Sequence, residues 1–206
     1  MEIKRITVGN LEENCYLITE ADEAAIIDPG SESEVLLEKI GACGVKLTKI
    51  LLTHGHFDHI GAVCEIKERT GAKIYMHEGD AKMPFDTELN LGYMNDEKVK
   101  PFAVDNYLSH GDILSIGHTE GRVYHTPGHS DGSVCFLFDE NLFCGDLLFK
   151  NSIGRFDRGN LRAELKSLKF LMDNLDDNVI VYPGHGPKTT VGDERRNNPY
   201  ILNHVL

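Results

Sequence analysis

Residues 53–59, with the sequence THGHFDH, hold four potential metal ligands within six consecutive positions. They directly follow an apolar run at residues 50–52, a pattern that is typical of the end of a buried strand. Zinc and other borderline cations accept imidazole nitrogens and carboxylate oxygens as ligands. A solvated polar turn is the alternative interpretation, but three histidines and an aspartate at a strand end favour a metal site. The segment therefore predicts four ligands: His54, His56, Asp58 and His59.

Three more candidate ligands follow short apolar strands further along the chain. His129 ends a Thr-Pro-Gly-His turn, His185 ends a Pro-Gly-His turn, and Asp146 follows a glycine after a strand. Proline and glycine force turns that expose these side chains at strand ends. The resulting seven candidates exceed the three protein ligands of one catalytic zinc, so two metal ions are the simpler prediction. Asp146 is the candidate for the shared ligand, because a carboxylate can bridge two cations and an imidazole cannot.

A pair of metal ions predicts hydrolysis as the reaction. Bound metal lowers the pKa of a water molecule to about 7 and polarises a carbonyl, so a metal-bound hydroxide can attack without a serine or cysteine nucleophile. Asp58 is the candidate catalytic residue, because it can both bind metal and accept a proton from this water. Zinc is the expected metal, with iron or a mixed pair as the alternatives.

The four motifs THxHxDH, TPGHS, GD and PGHG, in this order, resemble those of the metallo-β-lactamase superfamily. The resemblance runs from Asn14 and the IDPG segment at residues 27–30 to residues 192–199, and it is strongest to the short glyoxalase II-like group. It implies an α+β fold, an αββα sandwich of two mixed β-sheets flanked by helices. It also implies two ligand sets joined by Asp146: His54, His56 and His129 for one metal, and Asp58, His59 and His185 for the other.

Local patterns in the first half of the chain predict its strands and helices. Residues 15–18 and 24–27 predict two antiparallel strands. Ser31 and Glu34 have the spacing of a capping box for a helix. The apolar face expected for this helix is Val35, Leu36 and Ile40. Residues 46–53 then predict a buried strand, and residues 59–70 predict a helix that Gly71 ends.

The second half of the chain predicts hairpins followed by one last helix. Strands are expected on both sides of His129 and again before Asp146. Residues 160–175 predict a helix that Asn160 caps. Its expected buried face is Leu161, Leu165, Leu168 and Met172. Residues 78–107 have weak periodicity and scattered aromatic residues, which predicts a loop over the site.

Composition narrows the class of protein. A length of 206 residues predicts a single domain over residues 1–206. The net charge of −12 argues against nucleic acid, which requires a basic surface. No apolar run approaches the about 18 residues of a membrane span, and the charged start argues against a secretory signal. Five scattered cysteines fit the reducing cytoplasm, so we expect a cytoplasmic enzyme with a small-molecule substrate.

The resemblance to glyoxalase II implies a thioester substrate such as S-lactoylglutathione. Lys150, Arg155 and Arg158 are the candidate partners for its carboxylates. The chain ends soon after His185, without the helical extension with which glyoxalase II binds glutathione, so other thioesters are also candidates.

Two further enzyme classes have motifs similar to these. Persulfide dioxygenases would use His54, His129 and Asp146 as a facial triad for a single iron. Lactonase or β-lactamase-type hydrolysis is the third interpretation.

Overall fold

The computed structural model describes residues 1–155 and 159–204, which form two six-stranded sheets and a small hairpin. The first sheet has the order β1 (Glu2–Val8), β2 (Glu13–Glu20), β3 (Glu23–Ile27), β4 (Lys46–Leu51), β5 (Lys73–His77) and β6 (Asn106–Leu108). Its first three strands are antiparallel, as expected for β2 and β3, and β3 to β6 are parallel. The first sheet is therefore mixed.

The second sheet is mixed as well. Its chain-ordered strands are β7 (Ile113–Ile116), β8 (Thr119–His125), β9 (Val134–Phe138) and β10 (Asn141–Gly145). The hairpin of β11 (Leu148–Phe149) and β12 (Ser152–Ile153) follows, and then β13 (Ile180–Pro183) and β14 (Thr189–Thr190). The spatial order is β14-β13-β10-β9-β8-β7, in which β10 and β13 are parallel and the other pairs are antiparallel.

Helices cover the outer face of each sheet. The helices on the first sheet are α1 (Ser33–Ala42), α2 (Phe57–Ile60) and α3 (Val63–Thr70). Those on the second are α4 (Leu161–Asn174), α5 (Val191–Asn197) and α6 (Pro199–His204). Leu36 of α1 and Ile66 of α3 share a buried cluster with Ile50, and Leu168 of α4 shares another with Val181. Each helical layer thus has its own apolar contact with a sheet.

The inner faces of the two sheets pack against each other. Ile18 and Ile27 of the first sheet lie in one buried cluster with Phe136 and Phe143 of the second. Side chains alternate between the two faces of a strand, so each central strand contributes to this cluster and to an outer one. The layers are helix, sheet, sheet and helix, and the expected αββα sandwich is confirmed.

The start of α1 differs from the expectation. The residue before the helix is Glu32, in the left-handed region with φ 53°, and no side chain caps the helix, so the capping box at Ser31 is wrong. The Ser31–Glu34 spacing fails because the chain turns at Glu32 and the helix begins one residue later than the box requires. Leu36 and Ile40 are buried as expected, whereas Val35 is 43% exposed because it lies beside their stripe.

The helix expected over residues 59–70 is divided into α2 and α3. The break contains Gly61, where a Cβ atom would lie 2.3 Å from the carbonyl oxygen of Gly30, so the backbones of the two turns meet here. Gly71 ends α3 in the left-handed conformation, as expected. Asp58 and His59 lie in the short helix α2, close to the predicted helix start.

The end of the chain contains more helix than the sequence patterns predict. The side chain of Asn160 accepts a hydrogen bond from the backbone N–H of Ala163, which confirms the predicted cap of α4. Leu161, however, is 37% exposed and does not join the buried face. Helix α4 is not the last helix, because α5 and α6 follow β14. In the described residues, no helix has the length and apolar character that crossing a membrane requires.

Candidate metal centre

The seven candidate ligands come from loops at one edge of the sandwich. His54 and His56 follow β4, Asp58 and His59 lie in α2, and His129 lies between β8 and β9. Asp146 follows β10, and His185 follows β13. Strands β10 and β13 are parallel neighbours, so their carboxyl ends bring Asp146 and His185 to the same edge. The topology places residues that are far apart in sequence around one point.

Three histidines form the first cluster. The Nδ1 atom of His56 lies 3.0 Å from Nε2 of His54 and 2.9 Å from Nε2 of His129. All three side chains are buried. Their nitrogens are arranged as a group that can hold a metal ion, which we call the three-histidine subsite. Imidazole ligands about 2.0–2.1 Å from one zinc ion have to lie close to one another in this way.

Asp58, His59 and His185 form a second group, the mixed subsite. The Oδ2 atom of Asp58 lies 3.2 Å from Nε2 of His185 and 3.8 Å from Nε2 of His59. His59 is fully buried, whereas His185 is partly exposed. This subsite combines two imidazoles with a carboxylate and is therefore the more negatively charged of the two.

Asp146 reaches both subsites. Its Oδ2 atom lies 3.6 Å from Nε2 of His129, in the three-histidine subsite, and 3.6 Å from Nε2 of His185, in the mixed subsite. Its Oδ1 atom lies 3.3 Å from Nε2 of His59. A carboxylate in this position has the geometry of a ligand that two cations can share.

Backbone carbonyl groups orient two of the histidines. Nδ1 of His129 lies 2.9 Å from the carbonyl oxygen of Arg155, and Nδ1 of His185 lies 3.0 Å from that of Leu11. A carbonyl oxygen only accepts hydrogen bonds, so each Nδ1 donates, and Nε2 of the neutral ring keeps a lone pair. Both lone pairs are therefore available on the side of the subsites.

Asp28 orients one histidine of each subsite. Its Oδ2 atom accepts a hydrogen bond from the Thr53 hydroxyl at 2.5 Å and lies 3.0 Å from Nδ1 of His59. The Thr53 hydroxyl lies 3.1 Å from Nδ1 of His54. Since its single proton goes to Asp28, the hydroxyl accepts from His54 and leaves Nε2 of that ring unprotonated. One buried carboxylate thus controls His54 indirectly and His59 directly.

The turn that carries His185 is attached to the first sheet. The side-chain amide of Asn14 donates to the carbonyl oxygens of Pro183 and Gly186. The hydroxyl of Tyr16 also donates to Pro183, at 2.6 Å. Asn14 and Tyr16 therefore hold a loop of the second sheet against β2.

Burial lowers the pKa of His54 well below its ordinary range and that of His56 to about 3, and neighbouring imidazoles contribute. Both rings are therefore neutral at pH 7. The pKa of His59 moves in the opposite direction: burial would lower it, but the carboxylates of Asp146 and Asp58 raise it well above its ordinary range. The field around His59 favours a positive charge, which a metal ion would supply as well as a proton.

Two buried polar atoms without hydrogen-bond partners also indicate that these residues fit metal ions. Among the described residues, the buried atoms Nε2 of His59 and Oδ1 of Asp146 have no hydrogen-bond partner. Buried polar atoms without partners are rare, and a bound ion would satisfy both of these. Five histidines and two aspartates form a donor set that suits zinc and iron.

A cavity of about 300 Å³ opens onto this centre. Its walls include the metal-ligand candidates His56, Asp58, His129, Asp146 and His185. Apolar side chains form much of the remaining wall: Leu11, Phe57, Leu91, Met94 and Phe149. Leu91 and Met94 belong to the segment that was expected to lie over the site. The cavity is where a substrate would meet the metals.

The three candidate substrate-binding residues are in different positions. Arg155 lines the cavity. Lys150 is exposed and lies outside the residues that line it. Arg158 lies outside the described residues. Sequence patterns did not assign a supporting role to Thr53, Asp28 or Asp80. Thr53 stands in the THxHxDH motif and Asp28 in the IDPG segment, whereas no local pattern marks Asp80.

Several known proteins are similar to this chain in sequence and architecture. The profile of the metallo-beta-lactamase superfamily matches residues 8–185. The hydroxyacylglutathione hydrolase GloC of Haemophilus influenzae is 35% identical over 211 positions, which cover 98% of both chains. The BLEG-1 B3 metallo-beta-lactamase has a TM-score of 0.93 at 35% identity, covering 98% of this chain and 100% of its own. The protein TTHA1623, solved in a di-iron-bound form, has a TM-score of 0.86 at 38% identity, covering 96% and 99%.

Proposed function

This chain belongs to the metallo-beta-lactamase superfamily, as its motifs predict, and we propose that it is a hydrolase that cleaves a thioester with two divalent metal ions. The observation that carries the proposal is the position of Asp146. Its carboxylate lies 3.3–3.6 Å from imidazole nitrogens of both subsites, so the two groups of ligands form one centre.

The ligands divide between the metals as the superfamily resemblance implies. His54, His56 and His129 would hold one ion, Asp58, His59 and His185 would hold the other, and Asp146 would be shared. When bound, the metals supply a hydroxide at neutral pH and polarise the substrate carbonyl. Zinc is the proposed metal, and the di-iron form of TTHA1623 supports iron as the alternative.

Asp58 is the proposed proton acceptor. Burial would raise its pKa, but His59 and the hydrogen bond from His185 hold it below its ordinary range. The carboxylate is therefore ionised at neutral pH, and it lines the cavity in which the carbonyl group would lie. A carboxylate is a weak base, so Asp58 can accept a proton only from a strongly acidified water, and bound metal ions would acidify it in this way.

The apolar part of the cavity wall supports a thioester as the substrate. Leu11, Phe57 and Phe149 can cover the acyl chain and the sulfur, which are apolar. Arg155 offers a positive charge in the same cavity for a carboxylate of the substrate. The relative GloC is named as a hydroxyacylglutathione hydrolase, which supports this substrate class.

The proposed function includes the domain organisation, location and partners of the enzyme. We take residues 1–206 as a single domain. The five cysteines are all free, which supports the proposed location in a reducing cytoplasm. The net charge of −12 makes nucleic acid an unsuitable partner, and a small molecule remains the proposed substrate.

A substrate panel tests the reaction class. Zinc-loaded protein should hydrolyse S-lactoylglutathione or simpler acyl thioesters with a higher kcat/KM than lactones or β-lactams. His118→Ala, which changes an exposed turn histidine, serves as the control variant and should retain this preference. Cleavage of lactones or β-lactams in preference to every thioester would contradict the proposal.

A further inference from the structure

Two turns from different sheets meet beside the three-histidine subsite. The turn after β5 contains Gly79 and Asp80, and the turn before β9 contains Asp131 and Gly132. A Cβ atom on Gly79 would lie 2.9 Å from the backbone of residues 131 and 132, and one on Gly132 would lie 2.6 Å from Asp80. Only glycine permits such a close approach of the two backbones.

A pair of histidine rings supports the same junction. His77, the last residue of β5, stacks on His125, the last residue of β8, with ring centroids 3.9 Å apart and planes 12° apart. The Nδ1 atom of His77 accepts a hydrogen bond from Gly79, which fixes the start of the first turn. The first and second sheets are therefore in defined contact at this edge.

The carboxylate of Asp80 lies at the centre of the junction. It is fully buried and accepts three hydrogen bonds. Its Oδ2 atom accepts from the backbone N–H of Gly55 at 3.0 Å and from the hydroxyl of Ser130 at 2.6 Å. Its Oδ1 atom accepts from the backbone N–H of Gly132 at 2.7 Å. Asp80 is thus fully hydrogen-bonded although it is not a metal-ligand candidate.

The hydrogen bonds around Ser130 have a definite direction. The hydroxyl proton of Ser130 goes to Asp80, so the hydroxyl of Ser133, 2.7 Å away, donates to Ser130. The backbone N–H of Ser130 donates to the Ser133 hydroxyl at 3.1 Å. Asp80 therefore sets the direction of the hydrogen bonds in the turn that carries His129.

The donors that bind Asp80 lie next to the ligands of one subsite. Gly55 is between His54 and His56, and Ser130 follows His129 directly. We infer that Asp80 is a positioning residue that fixes the distance between the two loops of the three-histidine subsite. This inference rests on the proposed metal-dependent function and adds a residue that the ligand motifs do not contain.

The mixed subsite does not depend on Asp80 in this way. The Nδ1 atom of His59 faces Asp28, and Nδ1 of His185 faces the carbonyl oxygen of Leu11. Loss of the Asp80 bonds should therefore weaken one subsite selectively. Partners that orient metal ligands commonly contribute a factor of about 10–100 in metal affinity, which sets the size of the expected effect.

Asp80→Asn is the informative change. It keeps the shape of the side chain but replaces one oxygen by an NH₂ group, which faces N–H or O–H donors and cannot accept from them. Two ligand variants separate the subsites: His185→Ala leaves the three-histidine subsite, and His56→Ala leaves the mixed one. Zn²⁺ affinity is measured in each by competition with a chromophoric chelator.

In the His185→Ala background, Asp80→Asn should weaken Zn²⁺ binding about 10–100-fold. In the His56→Ala background it should change binding less than about twofold. Ser130→Ala, which removes one of the three bonds, should show the same selectivity with a smaller effect and serves if Asp80→Asn does not fold. A general loss of structure would weaken both subsites equally.

Asp105→Asn is the matched control. Asp105 lies near the opposite end of β5, where its carboxylate also accepts a backbone N–H, from Ile74 at 2.8 Å. This variant should leave both affinities unchanged. Equal weakening of the two subsites by Asp80→Asn, or no weakening of the three-histidine subsite, would overturn the inference. Wild-type protein that binds no Zn²⁺ would instead refute the proposed metal-dependent function.

Discussion

The Nε2 atom of His59 faces the Oδ1 atom of Asp146 at a distance of 3.3 Å, and both atoms are buried without a hydrogen bond. The other nitrogen of His59 is already bound to Asp28. An imidazole lone pair and a carboxylate oxygen in such a position repel each other unless a proton on Nε2 or a metal cation lies between them. Together with the convergent donor atoms of the two subsites, this charge-seeking pair supports a cation at the centre.

Replacing the shared carboxylate should abolish both subsites. Asp146→Ala should reduce bound metal from two equivalents towards zero and lower kcat/KM at least about 100-fold, because both ions lose a ligand. Metal analysis and thioester hydrolysis on one preparation check this. Asp22→Ala, in an exposed turn, is the control. Two bound metals in the Asp146 variant would contradict the bridging position.

The hydroxyl group of Thr53 should matter for one subsite only. Thr53→Val removes the acceptor for Nδ1 of His54 but keeps the shape, so we expect about 10-fold weaker binding at the three-histidine subsite. Thr53→Ser retains the hydroxyl and should bind metal as the wild type does. Asp28→Ala should weaken both subsites, because its carboxylate also binds His59. Chelator competition measures each affinity, and an equal effect of Thr53→Val and Thr53→Ser would exclude the role of the hydroxyl.

Acidification should remove metal from the mixed subsite first. The pKa values of His59 and His185 are raised, because nearby carboxylates outweigh burial, so protons compete with metal there even near neutral pH. The pKa values of His54 and His56 are lowered, that of His56 to about 3, so protons compete at these two ligands only in stronger acid. Dialysis from about pH 8 to about pH 5.5 should therefore leave about one metal per chain. Loss of both metals together in this range would be inconsistent with these shifts.

The segment over the cavity should contribute to substrate binding. Met94 lines the cavity, and Tyr93 lies in the same turn of residues 92–95. Met94→Ala should raise KM about three- to tenfold with little change in kcat, because apolar contact with the substrate is lost. Tyr93→Ala should raise KM to a smaller extent. Steady-state kinetics with one thioester check both, and unchanged KM values would count against a lid.

Arg155 should select for charge on the substrate. Arg155→Ala should raise KM about tenfold for a thioester that carries a carboxylate and leave KM for a neutral thioester within about twofold. Lys150→Ala is the control, because Lys150 is exposed and does not line the cavity. An equal effect of Arg155→Ala on both substrates would indicate a structural role.

The sequence predicts the metal-ligand candidates well because each one directly follows a recognisable local pattern. His54 and His56 follow the apolar end of β4, and His185 follows the Pro-Gly turn after β13, so strand ends locate them without tertiary information. The structure brings all seven candidates to one edge. The pairing of β10 with β13, which carries Asp146 to His185, joins segments almost 40 residues apart and follows from the family resemblance rather than from periodicity.

Supporting residues were not predictable for a physical reason. Asp80 makes its bonds across the two sheets, to Gly55 and to residues 130 and 132, and no local spacing encodes that contact. The predicted helix boundaries are wrong for a related reason. The break at Gly61 depends on backbone contact with Gly30. The capping box predicted at Ser31 does not form, because the chain adopts a left-handed turn at Glu32.

The most direct test is the metal content of purified protein, measured by mass spectrometry, with thioester hydrolysis and oxygen consumption assayed on the same sample. We expect close to two zinc ions, or a mixed pair, per chain together with thioester cleavage and no oxygen uptake. One iron per chain with oxygen uptake that depends on glutathione persulfide would contradict the dinuclear hydrolase and identify a dioxygenase instead.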